Sequence, residues 1–153
     1  MVNFTDALDT RVDDIEAPAN LPQGTYIWNV SKVPSITDTK NGEWTVVEFQ
    51  IKAVSAESDV DPDELEAYGP LTSTTNRLAF MAPTAPDKGR DRDIAVNRIK
   101  KFLINTLRIS ADDNPSLKQL MAQAVNSQFL GQAVWRQDGE DTYVDVKNYA
   151  PLD

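Results

Sequence analysis

A chain of 153 residues that is 41% apolar fits one domain of ordinary size with enough apolar mass for a core. It contains neither cysteine nor histidine, which excludes disulfides, thiolate or imidazole metal sites, and the commonest general base. A net charge of −9 argues against simple capture of nucleic acid on a uniformly basic surface.

Residues 1–20 read as an acidic N-terminal arm. Phe4, Leu8, Val12 and Ile15 recur at helical spacing among carboxylates, and Pro18 and Pro22 bound the segment. The spacing predicts either a short helix packed on the domain or a free acidic tail. Residues 24–34 alternate and are rich in β-formers, predicting a first strand. Asn41-Gly42 is a strong turn signal. Residues 43–54 follow as a second strand, with Val47, Phe49, Ile51 and Ala53 on the core side and Trp44, Val46, Glu48, Gln50 and Lys52 on the open side. Residues 55–70 read as an acidic insertion, a loop with a helical turn around DPDELEAY.

A third strand is predicted over 71–82, with Leu78 and Phe80 inward and Thr75 and Arg77 outward. A loop rich in Pro, Asp and Arg leads to the clearest helix, 93–109. Its apolar stripe is Ile94, Ile99, Phe102, Leu103, Thr106 and Leu107, and Arg98, Lys101 and Asn105 face away. Residues 111–125 give a second helix, with Leu117, Leu120, Met121 and Ala124 on one side. Two more strands, 128–137 and 141–148, meet at Asp138-Gly139. The order is strand, strand, strand, helix, helix, strand, strand. It predicts a mainly β (α+β) domain over 21–153: a five-stranded OB-like antiparallel barrel with one or two helices between strands 3 and 4. An α+β sandwich is the alternative.

The punctuation of this layout carries a resemblance. Leu21-Pro22-Gln23-Gly24-Thr25-Tyr26 begins the domain and Thr39-Lys40-Asn41-Gly42 makes the first hairpin turn. Gly131, Val134, Asp138-Gly139, Val146, Tyr149 and Pro151-Leu152 close the chain. In this order, over about residues 21–152, the chain resembles phage-encoded single-stranded-DNA-binding proteins of replication and recombination. The resemblance implies an OB-fold, no cofactor, single-stranded DNA as ligand and the cytoplasm of an infected bacterium as setting. It also implies contact with replication or recombination proteins, for which the acidic N-terminal arm is the comparable segment. A homo-oligomer is compatible with it.

Charge is unevenly spread. Residues 1–20 hold five carboxylates against Arg11, and residues 57–66 hold six with no base, so the remaining residues sum to +1. Single strands bind where bases stack on aromatic faces while cations follow the phosphates. Tyr26, Trp28, Trp44, Trp135 and Tyr143 fall in predicted strands, as do Lys32, Lys52, Arg77, Arg136 and Lys147. Strand aromatics more often fill cores; Trp44 is the best exposed candidate because Glu48, Gln50 and Lys52 share its face. Lys88, Arg90, Arg92, Arg98 and Lys101 form a cationic loop and helix able to clamp a phosphate backbone; a solvated polar helix face is the plainer reading. DNA is expected near Trp44 and Arg77, with residues 88–101 closing over it.

No catalytic residues are expected, because no nucleophile and base can be paired. GRDRD lacks the ending of a phosphate loop, and DVDPDELE lacks the glycine of a calcium loop, so no metal site is expected. No apolar run approaches the ~18 residues of a membrane span, and the acidic start does not suit a secretory signal. The competing expectation is a structural or interaction protein, such as a virion component or an acidic DNA mimic that inhibits a host protein.

Overall fold

A computed structural model describes residues 4–12 and 19–152. Among them, six strands form one antiparallel sheet: β1 (Gly24–Val30), β2 (Ser35–Asp38), β3 (Trp44–Ala56), β4 (Asn76–Pro83), β5 (Gln128–Asp138) and β6 (Asp141–Pro151). The long strand β3 organises the sheet. Along one edge it pairs with β4, Phe49 opposite Leu78. Along the other it pairs first with β2, Glu48 opposite Ser35, and then with β1, Ile51 opposite Val30. β5 pairs with the free edge of β1, and β6 with β5.

The expected first strand, 24–34, ends at Val30, and a short strand that was not expected, β2, follows it. Pro34 has no N–H to give a ladder, so pairing stops after Val30 and resumes at Ser35. This raises the strand count from the expected five to six. The expected closure of the barrel is also corrected. The succession of antiparallel pairings makes β4 and β6 run parallel, but no ladder joins them among the described residues. At one end Asn76 Nδ2 donates to the Val144 carbonyl at 3.2 Å; beyond it the edges diverge. The architecture is an open, mainly antiparallel sheet with a few helices.

The inner face alternates as the sequence requires. Tyr26, Trp28 and Val30 of β1 and Phe49, Ile51 and Ala53 of β3 are buried. Helix α3 (Gly89–Lys101) lies across that face and continues into a π turn, Phe102–Thr106. Phe102 fills the centre, its ring edge-on to Phe49 at 5.1 Å and to Phe129 at 5.2 Å. Burying each such ring contributes roughly 1.5–3 kcal/mol. Ala95, Ile99, Leu103 and Leu107 complete the buried stripe, whereas Ile94, expected in it, is exposed. Ala95, four residues before Ile99, shares its face, whereas Ile94, five before it, is turned roughly 140° away. Helix α4 (Leu117–Ala122) starts at a capping box made by Ser116 and Gln119, and buries Leu120 and Met121.

The acidic insertion is more ordered than a loop. Asp61 caps α2 (Pro62–Tyr68), accepting from the Asp63 and Glu64 N–H groups. Val60 is buried beneath it, and Tyr68 and Thr74 share a hydroxyl hydrogen bond of 3.0 Å. In the N-terminal arm, helix α1 (Phe4–Ala7) is one turn long. Phe4, Leu8 and Val12 stay 79%, 68% and 83% exposed, so these side chains do not pack on the domain. Ile15 and Pro18 lie outside the described residues.

Candidate nucleic-acid interface

The outer face of β3 and β4 carries the residues that alternation assigns to it. Trp44 lies opposite Pro83, Val46 opposite Met81, Glu48 opposite Ala79 and Gln50 opposite Arg77. The turn before β3 fixes Trp44. Asn41 Oδ1 accepts from the Glu43 N–H, Thr39 Oγ1 accepts from the Trp44 N–H, and Gly42 takes a φ of +71° that suits glycine. Trp44 remains 40% exposed and Met81 48%. Met81 was not among the expected contacts, although it shares the outward register of Arg77.

Arg77 stands at the far end of the same face. Six strand positions separate Trp44 from Gln50, the partner of Arg77, or about 20 Å. Arg77 Nε lies 3.4 Å from Glu48 Oε1, an exposed pair that constrains it weakly. Lys32 borders a shallow hollow with Glu48, Gln50 and Arg77. Lys52 borders another, beside Asn29, Val54 and Gln128. Trp44, Arg77, Lys32 and Lys52 thus share one side of the sheet without forming one compact cluster.

The expected 88–101 clamp divides into four. Lys88 lines a groove of about 510 Å³ together with Trp44, Pro83 and Thr84, and the carboxylates of Glu43 and Asp91 line it too. Arg92 does not serve the surface. Its Nη1 donates to the carbonyls of Pro83 at 3.1 Å and Ala85 at 3.0 Å, holding the strand-to-helix connection. Arg90 is exposed on the first turn of α3. Arg98 and Lys101 border a different cleft, with Phe80, Phe102 and Tyr149.

The remaining candidates lie elsewhere. Trp28, expected to meet a base, is instead fully buried, and its Nε1 donates to the Gly131 carbonyl at 2.9 Å, so it offers no face to a ligand. Trp135 donates from its backbone N–H to Gln23 Oε1 and from Nε1 to the Leu21 carbonyl, and its exposed ring closes over the start of the domain. Arg136 pairs with Asp145 at 2.9 Å and covers the Tyr143 ring at 4.8 Å, near the tip of the β5–β6 hairpin. Lys147 is exposed on β6, opposite Gln132. Trp135, Arg136, Tyr143 and Lys147 belong to the β5–β6 side, separated from β3 by β1.

Electrostatics show how the acidic segment is used. Asp59 accepts from the N–H and hydroxyl of Thr25 at 2.9 and 2.8 Å; these bonds, led by the backbone one, hold its carboxyl below the usual range. Glu57, Asp61, Asp63, Glu64 and Glu66 are exposed around it. Among the described residues no three carboxylates converge as a metal site would need, and no helix is long and apolar enough to cross a membrane. Comparison with family models and with curated protein sequences finds no match.

Proposed function

We propose that the protein binds single-stranded DNA with little sequence preference, on the outer face of β3 and β4. The observation that carries this is the exposed ring of Trp44 with Lys88 beside it and Arg77, Lys32 and Lys52 along the same side of the sheet. Stacking surface with flanking cations is the arrangement that captures single strands independently of sequence. The pairing scheme supports an OB-like reading of the open sheet. β1 and β2 act as one interrupted strand, β3 and β4 make the next hairpin, α3 follows, and β6 lies beside β4 without pairing to it. In OB folds the face formed by the second and third strands binds oligonucleotides, and that face corresponds to β3 and β4. The resemblance described above supplies the setting, phage replication or recombination inside an infected bacterium, with the acidic arm as the segment offered to protein partners.

The test is quenching of tryptophan fluorescence by a thymine homopolymer. Trp44→Ala is expected to weaken binding by roughly 1–3 kcal/mol, one to two decades in affinity, and to remove most of the quenching. Replacing Lys88 and Arg90 by Ala is expected to weaken binding less and to flatten its salt dependence. Unchanged affinity in Trp44→Ala would refute this placement of the strand.

A second reading rests on the six carboxylates of 57–66, all exposed. An acidic surface of that density suits a partner that itself binds nucleic acid. It predicts no response to the homopolymer and a direct complex with a basic protein.

A further inference from the structure

Where the edges of β4 and β6 diverge they leave a cleft that the Trp44 face does not use. Its volume is about 510 Å³, within the roughly 300–1,000 Å³ typical of small-ligand sites. One wall is aromatic. Phe102 forms its buried base, 5.6 Å from Phe80 and 5.5 Å from Tyr149 between ring centroids. Tyr149 is 37% exposed and Phe80 partly so, and they present ring surface to the opening.

The opposite wall is cationic and polar. Arg98, Lys101 and Asn105 follow at intervals of three and four, which places them along one side of the continuous helix. Of the two ion pairs that occur between described residues, neither involves Arg98 or Lys101. The π turn shapes this wall. The Leu107 N–H donates to the Phe102 carbonyl at 2.9 Å, and the widened turn brings Asn105 and Thr106 to the rim. Such turns occur frequently at functional sites. Burial, with the nearby Asp145, raises the pKa of the Tyr149 hydroxyl above its ordinary value.

A cleft lined by aromatic rings and two cations suits a flat ring that carries an anion. We propose that this cleft binds one nucleotide unit, its phosphate between Arg98 and Lys101 and its base against Phe80 and Tyr149. The same chemistry is offered by a free nucleoside monophosphate and by the phosphorylated end of a strand. The site is independent of the Trp44 face, so either can fail alone.

The test is a titration of the whole protein with thymidine 5′-monophosphate, followed by amide chemical shifts. Saturable shifts are expected at Asn105, Thr106 and Tyr149, with thymidine alone and inorganic phosphate alone each binding at least about tenfold more weakly. Arg98→Ala with Lys101→Ala should weaken the monophosphate by about tenfold or more while other amides keep their positions; Trp44→Ala should leave it unchanged. Short thymidine oligomers with and without a 5′-phosphate separate the two sources. In Trp44→Ala protein, tighter shifts of Asn105, Thr106 and Tyr149 by the phosphorylated oligomer than by both the unphosphorylated oligomer and the monophosphate identify a strand end, and equal or weaker ones identify the free nucleotide. Absence of saturation at millimolar monophosphate, or equal binding by the double variant, would overturn the proposal.

Discussion

The Tyr26 hydroxyl lies in the core and donates to the Pro22 carbonyl over 2.7 Å. Burial, then the charges of Tyr68, Asp59 and Glu64, push its pKa up to about 12 from 10.0. The folded state therefore keeps this proton where the unfolded chain loses it. The resulting stability is fully present below pH 10 and is lost as pH rises toward 12. Tyr26→Phe should cost about 1–3 kcal/mol at neutral pH, since the Pro22 carbonyl loses its partner, and should make stability less steep in pH over that alkaline range. Urea denaturation at several pH values checks both effects. Gly131 is constrained by packing instead. A Cβ there would stand 2.7 Å from Val146 Cγ1 and 3.1 Å from Trp28 Nε1. Gly131→Ala should therefore destabilise by about 1–3 kcal/mol, read as a lower denaturation midpoint with an unchanged slope. Alternation along β1 placed Trp28 on one face with Tyr26 and Val30 but did not say which face is the core, and the expected base-stacking residue is buried there. Gly131, which lies opposite Tyr26 and makes room for the indole, could not be paired with Trp28 from sequence because 103 residues separate them.

At the scale of elements, α3 shows where sequence reading stops. Its apolar period was legible from Ile99 to Leu107, and the strand order around it was too. The π turn was not, because its extra residue keeps Phe102, Leu103 and Leu107 buried and leaves the apolar spacing almost unchanged. The role of Arg92 was equally hidden, since its partners are backbone carbonyls, which carry no side-chain signal. The division of the cationic segment follows from these two facts: one arginine is spent on the strand-to-helix connection, and the helix turns Arg98 and Lys101 toward β6. The end of the helix makes a further prediction. The Ile109 N–H reaches back to the Leu103 carbonyl at 3.0 Å, and Arg108 takes a φ of +57°. That conformation favours glycine. Arg108→Gly should stabilise the protein by roughly 1 kcal/mol, raising its thermal midpoint by several degrees.

Over the whole molecule, charge is partitioned along the chain. Two segments carry ten net negative charges, more than the entire excess of −9. They lie on the arm and on the insertion around α2. The outer face of β3 and β4 holds Lys52, Arg77 and, at its margins, Lys32 and Lys88, with Glu48 as its carboxylate within the ladder. An acidic protein that binds phosphates must do so through such a local set, and its affinity must fall steeply with salt. Three or four phosphate contacts give a slope of about −2 to −3 in log affinity against log salt for a single strand. The central claim is tested most directly by the fluorescence anisotropy of a labelled thymine homopolymer, titrated with protein at a series of salt concentrations. The account predicts micromolar or tighter binding at low salt with a slope of about −2 to −3. No rise in anisotropy at micromolar protein and low salt would contradict it, leaving the exposed carboxylates of 57–66 and a basic protein partner as the better explanation of this surface.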